Sequence, residues 1–197
     1  MDKTCVVGIS FVDRESIELL RPKETAVRLS QLARQAAVFS ARKIGYTKEI
    51  SFYKDEQGVP LPEDGLYWAI SHKSTCVAGA VATCALGIDV EKIKPMKKDM
   101  YARIAADAEW ALMGGAHEDA FFRVWTGKEA VLKMVGVGMK GLSDCFVKSV
   151  LNDEALRINY LGNSWDVGYV RLNGHVIAAA TDKDRDICWD VCADTGK

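Results

Sequence analysis

A chain of 197 residues with 49% hydrophobic and 27% charged side chains has an ordinary soluble globular composition, and burying roughly 70% of its unfolded surface needs no disulfide or metal staple. A formal net charge of −1 lacks the basic excess of a general nucleic-acid binder, while the absence of a signal-like start or of 18 consecutive apolar residues predicts a cytoplasmic protein that binds no membrane. Six cysteines, at positions 5, 76, 84, 145, 188 and 192, form no CxxC pair, so buried thiols in a reducing compartment are expected rather than a zinc site or a disulfide framework.

Residues 3–12 read as a first strand. From Thr25 to Lys43, Ala26, Leu29, Leu32, Ala33, Ala36 and Phe39 fall on one face of a helix, with Arg28, Arg34 and Arg42 elsewhere and Gly45 as a stop. A short strand at Ile50–Tyr53 leads into a turn over Lys54–Pro60, marked by Gly58 and Pro60. Leu66–Thr75 contains Ser71-His72. The small-residue run Cys76–Ala82 reads as a strand hairpinned to a strand over 85–91 that ends in Asp89 and Glu91. Side chains two apart on a strand share a face, so these two acids project together.

After Pro95, Asp99 is placed to cap a helix through Leu112, ended by Gly114-Gly115, with Asp107 and Glu109 as surface charges. A second helix, from about Glu118 to Val135, carries Phe121, Val124, Trp125, Leu132 and Val135 at helical spacing. Glu129 and Lys133 are roughly 40° apart around its axis, on the flank of that apolar stripe. Gly136-Val137-Gly138-Met139-Lys140-Gly141 spells GxGxxG, but it follows a helix where a dinucleotide fingerprint needs a preceding strand, and it reads as a turn framing a cleft. Short strands follow at 145–150, 156–161, 166–172, 176–181 and 187–192, with Asn173-Gly174 the clearest hairpin turn. The run Val176–Thr181 echoes Val77–Thr83, a faint internal repeat.

Taken singly, an acid and a lysine one turn apart are a surface pair worth about 0.3–0.5 kcal/mol. The combination says more. Asp89, Glu91 and Glu129 are oxygen donors of the kind a hard cation such as Mg²⁺ shares with substrate phosphates, and Lys133 follows one turn later.

At these residues the sequence resembles the 4′-phosphopantetheinyl transferases. Gly87-Ile88-Asp89-Val90-Glu91 matches the first part of that family's signature, and Trp125-Thr126-Gly127-Lys128-Glu129-Ala130-Val131-Leu132-Lys133 matches the second without a gap. The resemblance covers residues 50–142. It implies an α+β fold of two similar halves in a pseudo-twofold arrangement, each a helix packed on antiparallel strands, divided here into residues 1–94 and 95–197. It also implies a monomer of the single-chain type, in contrast to the shorter holo-acyl-carrier-protein synthases.

The implied activity is transfer of the phosphopantetheine arm of coenzyme A to a serine of an apo acyl or peptidyl carrier protein, with release of 3′,5′-ADP. The implied metal is Mg²⁺, with Mn²⁺ as the alternative, held by Asp89, Glu91 and Glu129. Catalysis falls to Asp89, to Glu129 as general base and to Lys133 on the phosphate oxygens. Ser71 and His72 resemble the family's Ser-His segment at the phosphate and nucleotide end of the coenzyme, with Lys73 where the family has a second serine. Lys128 and Lys133 are further coenzyme ligands, Arg34 is the candidate for the 3′-phosphate, and Lys54 compensates for Val59, which stands where the family's loop carries lysine. The competing readings are a non-catalytic module that binds carrier protein and coenzyme A, and a metal-dependent phosphohydrolase.

Overall fold

A computed structural model describes residues 4–192. The elements in chain order are β1 (Thr4–Phe11), α1 (Glu15–Glu18), α2 (Pro22–Lys43), β2 (Tyr67–Lys73), β3 (Cys76–Ala82), β4 (Leu86–Lys92), α3 (Lys98–Ile104), α4 (Asp107–Leu112), α5 (Glu118–Met134), a 3₁₀ helix (Gly138–Asp144), β5 (Cys145–Asn152), β6 (Ala155–Tyr160), β7 (Asn163–Leu172), β8 (His175–Thr181) and β9 (Asp186–Val191). The expected first residue of the first strand, Lys3, lies outside the described residues. Among the described residues no helix is long and apolar enough to cross a membrane.

The strands form two sheets, ordered β2-β3-β1-β9 and β4-β8-β7-β6-β5. All pairings are antiparallel except β1 with β9. The sheets pack face to face through Cys5, Val7, Ile9, Ala78 and Ala80 on one side and Ile88, Val90, Ile177 and Ala179 on the other. α2 covers the outer face of the first sheet, against Val77 and Val81; α5 covers the outer face of the second, against Val176, Ala178 and Ala180. The α+β architecture of two helix-on-sheet halves is therefore present. β3 and β8, the two runs that echo one another in sequence, are both buried along their whole length because each lies between a helix and the opposing sheet.

Several local expectations are corrected. β3 does not form a hairpin with β4: both edges of β3 are taken, by β2 and β1, so the chain crosses at residues 83–85 into the second sheet, where β4 pairs with β8. β9 makes the return exchange into the first sheet. Residues 50–53 are not a strand, since no neighbouring strand is there to pair with them; Phe52 instead packs edge-on against Trp68 with ring centroids 5.0 Å apart. The single helix expected from Asp99 is two, broken where Ala105 is extended (φ −152°, ψ 154°), and Lys97 rather than Asp99 occupies the first N-cap. Glu109 is buried, not a surface charge, whereas Asp107 is exposed. Of the six thiols Cys188 is exposed and Cys192 half-buried, because β9 is an edge strand.

Small residues set the helix–sheet distance in both halves. A Cβ on Gly79 would run into the Ala33 carbonyl and the Ala37 amide of α2, and one on Gly87 into the Ala130 carbonyl and Met134 amide of α5. Ser40 of α2 adds a polar pin: its hydroxyl donates to Val6 O (2.6 Å) and accepts from Val81 N (3.1 Å). Gly87→Ala is therefore expected to force α5 off the sheet and cost about 1–3 kcal/mol. In urea unfolding the midpoint should fall with the slope unchanged; a variant with the wild-type midpoint would show that the contact is not tight.

Candidate functional site

β2 and β4 are edge strands of different sheets, and they lie side by side. Ser71 of β2 meets Asp89 of β4, and Lys73 meets Glu91 two residues further along, so the strands run parallel at this seam. The Ser71 hydroxyl donates to Asp89 Oδ1 (3.3 Å) and accepts from the Val90 amide (3.2 Å). α5 supplies the third wall. From 120 to 133 its part-exposed residues are Trp125, Glu129 and Lys133, spaced by four and hence stacked on one flank. Lys133 Nζ sits 2.6 Å from Asp89 Oδ1 and 3.3 Å from Ser71 Oγ, and Trp125 Nε1 donates to Glu91 Oε1 (3.3 Å).

A cleft of about 800 Å³ opens along the same seam. Its walls are Tyr67–Ile70 of β2, Ala85, Leu86 and Ile88 on and before β4, the loop with Lys54, Gly58, Val59 and Pro60, and residues 136–140 after α5. The two glycine-containing turns singled out in the sequence thus face each other. Gly136 adopts φ +74° as the chain leaves α5, and a Cβ there would press on Val59. Lys54, Lys133 and Lys140 give the cleft its cations.

Electrostatics distinguish the acids. Asp89 is buried, and its Oδ2 has no hydrogen-bond partner. The Glu129 carboxyl is pushed above the usual carboxylate range, first by burial and then by repulsion from Asp89, with Lys133 opposing the rise. His72 lies on the opposite face of β2 from Ser71, half-buried; burial holds its imidazole below the usual value, helped by Lys133 and Lys54. Among the described residues no group of three or more His, Cys, Asp or Glu is gathered closely enough to hold an ion unaided. The donor set nonetheless suits a hard cation that takes some of its oxygens from a substrate: an unpartnered carboxylate oxygen at Asp89, a destabilised carboxylate at Glu129 and Glu91 beside them.

Of the expected coenzyme ligands Ser71, His72, Lys128, Lys133 and Arg34, Lys133 alone lines the cleft; Ser71 touches Lys133 beside it, His72 lies on the opposite face of β2, and Lys128 and Arg34 lie elsewhere. Lys128 is buried on the far side of α5, where Nζ is 2.7 Å from both Ile104 O and Glu109 Oε1. Glu109 in turn accepts from the Ala106 and Val147 amides (3.0 and 2.7 Å), so this pair ties the break between α3 and α4 to β5. Arg34 lies on α2 with its guanidinium 5.9 Å from the Phe52 ring centroid and does not line the cleft. Trp125 packs against the core, as its place in the apolar stripe predicts, and in addition its N–H donates to Glu91, a contact signalled only by the 125, 129, 133 spacing.

Residues 85–180 match the model of the 4′-phosphopantetheinyl transferase superfamily. A 4′-phosphopantetheinyl transferase of Bacillus subtilis is 30% identical over 160 residues, covering 75% of this chain and 69% of that protein. The chain belongs to the 4′-phosphopantetheinyl transferase family. Family members named ffp, from Bacillus subtilis (30% identity; 50% of this chain, 46% of that protein), and gsp, from Aneurinibacillus migulanus (28%; 47% and 40%), match over less than half of their own length. In this family member the matched region begins at the crossover into β4 and ends within β8, so it contains Asp89, Glu91, Glu129 and Lys133.

Lys128→Met should leave Glu109 buried without its partner and cost about 3–5 kcal/mol of stability. Adding Glu109→Gln should restore most of it; a stable single variant that has lost coenzyme binding would return Lys128 to the cleft. Glu129 gives a prediction in pH. Its carboxyl holds its proton to higher pH folded than unfolded, so its contribution is fully present below the unfolded pKa and is lost as pH rises through the folded one. Without added metal, Glu129→Gln should therefore melt higher than wild type at pH 7, the two converging in acid. Equal melting temperatures at pH 7 would mean that the charge is already compensated.

Proposed function

We propose that the protein transfers the 4′-phosphopantetheine arm of coenzyme A to a serine hydroxyl of an apo acyl or peptidyl carrier protein, releasing 3′,5′-ADP, in a Mg²⁺-dependent reaction. The observation that carries the reading is that Lys133, which lines a cleft of about 800 Å³ framed by the 54–60 and 136–140 turns, also contacts Asp89 and lies one helical turn from Glu129. Both walls come from one chain, which supports action as a monomer.

The cleft has room for a nucleotide and a pyrophosphate, with Lys54, Lys133 and Lys140 as counter-charges. Ser71, 3.3 Å from Lys133 Nζ, would reach the phosphates together with that lysine. Asp89 and Glu129, with Glu91 beside them, are the residues that would hold the cation, whose chemistry is to offset the pyrophosphate charge. Lys133 already lies 2.6 Å from Asp89, and its ammonium is placed to be shared with a phosphate oxygen as charge builds there. The carrier serine oxygen attacks the phosphorus bearing the pantetheine arm, the bond to the departing 3′,5′-ADP breaks, and the serine proton goes to Glu129. Glu129 is assigned this role because it is part-exposed and forms no salt bridge among the described residues, whereas Asp89 is engaged by Lys133 and Glu91 by Lys73 and Trp125.

Intact mass of an apo carrier protein incubated with this protein, coenzyme A and Mg²⁺ tests the reading. Wild type should add one phosphopantetheine arm per carrier and a chelator should stop it, while Asp89→Ala and Glu129→Ala should each lower the rate by at least about a hundredfold. Coenzyme cleavage without transfer would replace the reading with a hydrolase. Bound coenzyme with no transfer to acyl or peptidyl carriers would replace it with a binding module.

A further inference from the structure

Lys73 stands where the resembled family signature carries a second serine, and the structure gives the substitution a partner. It is the last residue of β2, paired with Cys76 across a tight turn in which Ser74 adopts φ +54°, so its backbone position is fixed by the hairpin. From there Nζ lies 3.0 Å from both carboxylate oxygens of Glu91. Trp125 donates a second hydrogen bond to Oε1. Both oxygens of Glu91 are thus engaged. Asp89 retains an unpartnered buried Oδ2, and Glu129 forms no salt bridge among the described residues. The three acids do not present themselves equally.

Resting on the coenzyme A and Mg²⁺ reading above, we propose that Lys73 reserves Glu91 for the protein, so that a divalent cation finds only Asp89 and Glu129 and binds well only when the coenzyme's pyrophosphate supplies further oxygens. Two effects act in the same direction. The ammonium occupies the oxygens that a cation would use, and its charge repels a dication directly. Asp89, Glu91 and Glu129 against Lys73 and Lys133 carry a formal charge of −1, which becomes −2 when Lys73 is neutralised. Mg²⁺ is suited to such a site, since it is commonly held by one or two carboxylates together with phosphates and water. The lysine therefore couples cation and coenzyme binding, and by linkage each strengthens the other by the same factor. Trp125 is a positioning residue in this arrangement, its N–H holding Glu91 Oε1 while Lys73 engages both oxygens.

The test is titration of Mn²⁺ into the full chain, followed by the free-ion electron paramagnetic resonance signal, with and without coenzyme A; coenzyme binding is measured calorimetrically on the same samples. Wild type should bind Mn²⁺ weakly alone and about tenfold or more tightly with coenzyme A. Lys73→Ser and Lys73→Met should bind Mn²⁺ alone about tenfold more tightly than wild type, the scale on which neighbours of metal ligands act, with a correspondingly smaller response to coenzyme. Lys73→Arg should behave as wild type. The methionine variant keeps the side-chain stem, so a melting temperature equal to wild type separates loss of charge from loss of packing. Unchanged Mn²⁺ affinity in both the serine and methionine variants, with coenzyme A bound normally, would overturn this inference alone. A wild-type protein that binds no coenzyme A would overturn it together with the functional reading beneath it.

Discussion

The seam between β2 and β4 is the constraint on which the site depends. Each strand has one edge satisfied within its own sheet, and the free edges face each other. Exposed strand edges tend to zip together through backbone hydrogen bonds. Here they are stitched by side chains instead, with the Ser71 hydroxyl taking the Val90 amide and Lys133 reaching over from α5 to Asp89. The difference has a geometric consequence. A continuous ladder would merge the two sheets and leave no space, whereas the side-chain seam closes only at 71/89 and 73/91 and leaves the stretch 67–70 and 85–88 open as the cleft.

Exchange of strands makes this seam rigid. Because β4 belongs to the second sheet and β9 to the first, the halves are joined at two crossovers and share the core around Val7, Ala78, Ile88 and Ile177. Neither sheet can swing without pulling a strand of the other. The close approach of α5 over Gly87 then transmits position to the chemistry, since Gly87, Asp89 and Glu91 alternate onto the same face of β4 and the backbone under Glu129 and Lys133 rests on that glycine.

What the sequence made legible was local and periodic. Five C-terminal strands, two long helices and the glycine turns follow from alternation, a 3.6-residue period and positive-φ demands at Gly45, Asn173 and Gly174. The flank position of Glu129 and Lys133 follows from spacing alone. Partner choice did not. Whether β4 turns back on β3 or crosses to β8 is decided by which edges of β3 are already occupied, and that is a property of β1, some seventy residues earlier. Lys128 shows the same limit: one residue before Glu129 on the helix, it points about 100° away into a core whose acid, Glu109, is supplied by α4. Nothing in the local pattern distinguishes a lysine that meets a phosphate from one that meets a buried carboxylate.

The acids at this seam are arranged against the interest of the fold. Asp89 is buried with an oxygen unsatisfied, and Glu129 is burdened by burial and by the Asp89 charge. Buried carboxylates without full compensation are costly. Lys133 relieves only part of this, because one ammonium on Asp89 Oδ1 leaves Oδ2 without a partner and Glu129 still repelled by the Asp89 charge. A polyanionic ligand alone would make matters worse, and a cation alone would have to dehydrate for two carboxylates. On the proposed reading the two would bind together, each supplying what the other lacks, with the cleft's Lys54, Lys133 and Lys140 beside the acids that Lys133 contacts.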